Sequence, residues 1–286
     1  MANAKPVLRT VRAVHPNAGL DAWYESQLID LVQSAHIDLT ITLSLAWRET
    51  PPLTPFDRVN PDRMPPALRL GVDAQSPTKN IDAVLKAWGR KWRTRFDRMS
   101  VTIANGFARR SFQMTETAMR DSLKQAGFTV KFRPTREARE AFRAVLSENV
   151  GLIKSIQQQY LTGVQTRVWQ SVGRGADMAT LSRKLKDEYG STTKRAALIA
   201  RDQNAKAKAT IENTRRAELG IRQAIWQHSA GGREPRPSHV DMHGKVFDLA
   251  KGMYDPEEKE FILPGTLINC RCTSRAILPG LDDDAA

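Results

Sequence analysis

The sequence predicts an α+β protein: a mostly α-helical N-terminal and middle region, then a small C-terminal α+β module of short strands. Three observations point there. Apolar residues recur every three or four positions over most of the chain before Gly220. After Gly220 the pattern changes to short alternating runs broken by glycine and proline. The composition, 41% apolar and 26% charged over 286 residues, suits a globular chain with a real core.

In chain order, "GLDAWYESQLIDLVQSAHIDLTITLSLAWRE" places Trp23, Leu28, Leu31, Val32 and Ala35 on one helical face, with a β-branched far end that fits helix or strand. Residues 50–77 are dense in proline and must be irregular or extended. From Pro77 a long helix begins. Leu85, Trp88, Trp92, Phe96, Met99 and Ile103 form its apolar stripe, with Lys86, Arg90, Lys91, Arg93, Arg95 and Arg98 around it. Aromatics at this spacing read as core, although rings interleaved with cations also suit nucleic acid. Gly127 stops that helix, "FTVKF" (128–132) reads as a short strand, and Pro134 and Thr135 open the next helix, with a bend expected near Asn149 and Gly151. "GRG" (173–175) marks a turn and is no phosphate loop, because no Lys-Ser/Thr pair follows it. A helix over 177–189 and a second one over 190–219, capped by Ser191 or Thr192 and stopped by Gly220, complete the helical part.

The expected organisation is therefore residues 1–76 as a helical segment and proline-rich arm, 77–220 as a helical domain, and 221–286 as the small module with a disordered tail. In that module "IRQAIWQHSA", "KVFDL" and "NCRCTSRAIL" read as strands, with loops between. No stretch approaches the roughly 20 apolar residues of a membrane span, and the start lacks the apolar core of a secretory signal. The expectation is a cytoplasmic protein with no membrane partner.

The formal net charge is +13. Such an excess attracts polyanions, so double-stranded DNA, bound without sequence preference, is a candidate partner. The candidate nucleic-acid-binding residues are Arg90, Lys91, Arg93, Arg95, Arg215 and Arg216.

Cys270 and Cys272 are the chain's two cysteines. A reducing compartment and the small ring of a Cys-x-Cys bridge argue against a disulfide. In an extended strand, positions i and i+2 present both sulfurs to one side. His239 and His243, spaced H-x3-H, supply two imidazoles, and two thiolates with two imidazoles are a common tetrahedral zinc set. With all four bound, no position remains for a reactive water, so the ion would be structural. A zinc hydrolase would need one ligand absent and a base, for which Asp241 is the candidate. Closure by packing and hydrogen bonds without metal is the competing reading. No catalytic residue is assigned, and no enzymatic activity is expected.

The set "ALIARDQNAKAKATIENTRRAELGIRQAIWQHS", then "RPSHVDMHGKVFDL", then "LPGTLINCRC" resembles the Mu F-like minor head proteins of tailed phages. The matching positions are Ile199, Ala200, Arg201, Trp226, Arg236, Ser238, His239, Gly244, Pro264, Gly265, Asn269, Cys270, Arg271 and Cys272. The chain departs from the pattern at Arg201-Asp202-Gln203, where many relatives have Arg-Thr-Glu, and at Gly232 and Pro235. The resemblance implies a phage head morphogenesis protein: a low-copy minor capsid component acting near the portal, with portal and capsid proteins as partners and packaged DNA within reach. It implies the virion head as location, and the host cytoplasm during assembly. The alternatives are a phage DNA-binding accessory protein and a metal-dependent nuclease acting during packaging.

Overall fold

The computed structural model describes residues 9–53, 77–231 and 234–279. Most of the proline-rich arm (54–76) and the acidic tail fall outside them. Four long helices come first: α1 Ala18–Glu49, α2 Pro77–Gln125, α3 Arg136–Arg174 and α4 Met178–Glu218. The remainder is β1 Gln223–Gln227, a short helix α5 Pro237–Asp241, β2 Val246–Asp248, β3 Met253–Asp255, β4 Glu260–Ile262 and β5 Thr273–Ile277. The α+β class holds. The chain divides into two compact units that do not follow the sequence boundaries at 76 and 220. One is 1–24, 104–149 and 198–286; the other is 25–103 and 150–197.

In the second unit the aromatic stripe of α2 is core. Leu85, Trp88, Trp92, Phe96 and Ile103 are buried, while Arg90, Lys91, Arg93 and Arg95 are exposed. Trp88 meets Tyr160 edge-on, and the Asp38 carboxylate accepts bonds of 2.7 Å from both Lys91 Nζ and Trp92 Nε1. Buried rings of this kind are unavailable for base stacking.

Several elements differ from expectation. The β-branched end of α1 is helical: Thr40 and Thr42 turn their hydroxyls back onto the carbonyls of His36 and Asp38, which satisfies them inside a helix. By length and composition α1 qualifies as a membrane-crossing helix, with a mean hydropathy of 1.2 over an 18-residue stretch, contrary to the sequence reading. Its Leu28, Leu31, Val32, Ala35, Leu39 and Leu43 are buried at three- and four-residue spacing. The two helices expected over 177–219 are one. Ser191 and Thr192 cap nothing; Thr192 bonds back to the Glu188 carbonyl at 2.8 Å, and Gly190 is carried inside α4. α3 is a single helix through Asn149 and Gly151. "FTVKF" is not a strand: its backbone pairs with no strand among the described residues.

In the first unit β1 lies centrally between β2 and β5, antiparallel to both. β3 and β4 form a separate two-stranded hairpin that the sequence reading treated as loop. The sheet buries Ala224, Trp226, Phe247 and Ala276 in a core shared with Val11, Leu123, Met242, Cys270 and Cys272. Residues 9–11 extend the sheet, bridging to β5.

Candidate metal centre

Cys270 and Cys272 sit just before β5 rather than within it, yet the expected alternation holds: both sulfurs reach one atom. Each Sγ lies 3.5 Å from His239 Nδ1, and all three residues are buried. The donor set fits a metal. With zinc–sulfur bonds of about 2.3 Å and zinc–nitrogen bonds of about 2.0 Å, a tetrahedral ion holds its sulfur and nitrogen ligands about 3.5 Å apart. A single imidazole nitrogen can share one proton with only one thiol, so two equidistant sulfurs suit a shared cation better than a hydrogen bond. The two cysteines are free thiols, not a disulfide.

Backbone amides prepare the sulfurs for negative charge. Gly265 N donates to Cys270 Sγ at 3.4 Å, and the Ser229 N–H favours the Cys272 thiolate. The Cys272 thiol beside it, together with His239, pulls Cys270 down to about 4. Cys272 goes the other way, held as a thiol by the Cys270 charge and by burial, because one small buried site does not hold two thiolates without a cation. Burial lowers the basicity of His239, but the neighbouring Cys270 charge outweighs it and the net shift is upward.

The other side of the imidazole is also engaged. Asp255 Oδ2 is 3.3 Å from His239 Nε2, and Asp255 is fully buried. Ser238 Oγ donates to Asp255 at 3.2 Å, and the Glu257 and Glu258 amides cap its other oxygen at 2.9 and 3.4 Å. The negative charge of a carboxylate behind a histidine raises its basicity. Sequence reading missed Asp255, because the hairpin that presents it has strands only three residues long. The available signal was the Asp-Pro-Glu-Glu stretch, since aspartate commonly captures amides two residues on.

His243, expected as a ligand, is not in this cluster. It is exposed, and its Nδ1 accepts the His228 backbone N–H at 3.1 Å. Gly244, next to it, takes a φ of +77° and donates its N–H to the Trp226 carbonyl, a turn that carries the His243 ring away from the sulfurs. Asp241 is exposed and belongs to no part of the cluster.

The remaining motif residues frame the site. Arg236 donates to the Ile268 carbonyl, Arg271 to the Gly231 carbonyl, and Asn269 N to Asp202 Oδ1 at 2.6 Å. Asn269 has a φ of +60°, a conformation asparagine tolerates. Gly265 has a φ of +86°, and a side chain there would crowd the Cys272 carbonyl. Asp202 and Gln203, the departures from the family pattern, are structural here; Gln203 accepts from Asn149 and donates to Glu148. Arg201, Asn269 and Arg271 line a cleft of about 360 Å³, which shares Cys270 with a second cleft of about 400 Å³ in front of the cluster.

Two predicted nucleic-acid contacts are corrected. Arg215 is buried and held by Glu116, Glu218 and the Arg133 carbonyl. Arg216 is buried between Glu212 and Ser274. Charge spacing along α4 could not reveal which cations turn inward, and neither reaches solvent phosphate.

A long helix, a small antiparallel sheet and a buried His/Cys/Cys cluster that could hold a metal ion thus define the class: a helical protein whose small sheet carries a buried His/Cys/Cys cluster. Residues 162–275 match the family described as Phage Mu protein F like protein. A relative from Haemophilus influenzae, carrying only the description "Uncharacterized protein", is 35% identical over 185 residues, 64% of this chain and 39% of that one. The chain therefore spans well under half the length of that relative. No solved structure matches.

Proposed function

We infer that this chain is a low-copy structural component of a phage head, docking on portal and capsid subunits during assembly and doing no chemistry of its own. The match over 162–275 carries this reading. Arg236, Arg271 and Ser238 support it, since the two arginines hold the Ile268 and Gly231 carbonyls and the serine hydroxyl is spent on buried Asp255. Its expected location is the virion head, and the host cytoplasm while heads assemble. The test is quantitative mass spectrometry of proheads and DNA-filled particles from the phage or induced prophage that encodes it. A few copies per particle in both is the expected result; absence from both overturns the reading.

Zinc at His239, Cys270 and Cys272 belongs to the same proposal, as the closure of the module. When bound, it would supply a cross-link between α5 and the segment just before β5; the chain's own residues orient the ligands.

Contact with packaged DNA is a further part, assigned to Arg90, Arg93 and Arg95, which are exposed on α2. Lys91 is a weaker candidate because Asp38 already holds its ammonium. Replacing the three arginines by alanine should make the slope of log K against log salt for duplex binding shallower by about 3, one counterion per phosphate contact. An unchanged slope removes the DNA contact and leaves the assembly role standing.

A further inference from the structure

The cluster supplies three ligand atoms, all within 4.8 Å of one another, where a closed zinc site needs four. His228 lines the same cleft as His239, Cys270 and Cys272, and His243 does not. Strand alternation explains why. Trp226 in β1 points inward, with its ring 5.4 Å from that of His239, and His228, two residues on, follows to the same side. The backbone there is pinned at the site: the next amide, Ser229 N–H, acts on the Cys272 sulfur, and the His228 N–H is held by His243 Nδ1. His243 thus serves as a backbone acceptor, while the half-buried His228 ring makes no hydrogen bond among the described contacts.

We propose that His228 is the fourth ligand of this centre, completing a Cys2His2 set with His239, Cys270 and Cys272, and that His243 only positions the His228 backbone. This rests on the metal reading given above. His228 lies outside the three-residue group and reaches it by turning its ring within the open cleft. Once turned, it closes the position where water, or the carboxylate of Glu234 on the same cleft wall, would otherwise bind. The resulting site is four-coordinate and structural, with no vacancy for hydrolytic chemistry.

The test uses the full chain, stripped of metal and titrated with Zn2+ and with Co2+, whose visible bands report ligand number and type. Wild type is expected to bind one ion per chain with the absorption of a four-coordinate S2N2 site. His228→Ala should weaken binding on the order of 100-fold, at the upper end of the loss seen for an outer-shell partner. His243→Ala should weaken it by only about 10-fold, the low end for an outer-shell partner. His228→Cys should restore tight binding and add sulfur-to-cobalt charge-transfer intensity, which a merely structural role would not produce. Unchanged far-UV circular dichroism and metal-free melting of His228→Ala separate ligand loss from misfolding. Wild-type affinity in His228→Ala overturns the proposal while the three-ligand site stands. Loss on His243→Ala with His228→Ala unaffected overturns it in favour of His243. If wild type binds neither ion, the metal reading fails, and the fourth ligand with it.

Discussion

Cys270→Ser opens the first unit to protease while the second stays protected. With the metal reading, the substitution removes a ligand from an ion that ties the segment before β5 to α5, and binding energy at such a site is folding energy. At free zinc about 1,000-fold above its dissociation constant, the loss amounts to about 4 kcal/mol. His239→Ala and a strong chelator should act alike. Limited proteolysis should show new cuts between 222 and 279 and in the segment around Thr10, because Val11 packs in the same core as Trp226 and the cysteines. Residues 25–53, 77–103 and 150–197, which belong to the other unit, should resist as before. If all three treatments leave melting and cleavage unchanged, the module is closed by packing alone and holds no structural ion.

Glu212→Ala should destabilise the same unit by about 3–5 kcal/mol, because it strands two buried cations. Glu212 is 2% exposed; Lys208 donates to one of its oxygens at 2.9 Å, and Arg216 donates to the other. Arg216 keeps its bonds to Ser274 in β5, 2.7 Å to the hydroxyl and 3.0 Å to the carbonyl, but these acceptors are neutral. Burial presses the Arg216 guanidinium below its usual basicity, and Glu212 opposes that pressure. Thermal and urea melts of the variant measure the cost. Replacing Lys208, Glu212 and Arg216 together with apolar residues of similar size should recover most of it, since the desolvation of all three charges disappears with them. A single Glu212→Ala loss below about 1 kcal/mol, the scale of exposed pairs, would mean that water reaches this network.

The helices were legible because burial on one face writes itself into the sequence: Leu85, Trp88, Trp92, Phe96 and Ile103 fall on α2 as the period demands. β1, β2 and β5 were readable from alternation and their bounding glycines. The helix break expected at Gly190 was misread because one glycine is a modest penalty within a 41-residue helix whose threonines bond back to it. Half of the cluster could be derived, since strand geometry alone puts Cys270 and Cys272 on one side. Choosing between His239 and His243 could not. That choice depends on the Gly244 turn and on a one-turn helix that begins at Pro237, and both act through tertiary contacts with β1. Arg215 and Arg216 failed for a related reason, because a charged side chain on a helix looks the same in sequence whether it meets phosphate or a buried glutamate.

The pairing of residues 9–11 with β5 has a consequence for how the protein is made. Val11 N donates to the Ala276 carbonyl and Leu278 N to the Arg9 carbonyl, each at 3.0 Å, and Arg275 reaches Thr10 across 265 positions of chain. At about 5–20 residues per second, the ribosome delivers β5 roughly 15–50 s after Thr10. Throughout that interval the early segment has an edge and no mate, and β1 and β2, made only near its end, have each other alone. The sheet is therefore a late event in synthesis, gated by its last strand. Any translational stall or truncation before residue 273 releases a chain whose helices can form but whose sheet edges stay open to chaperones, or to the same edges on neighbouring nascent chains.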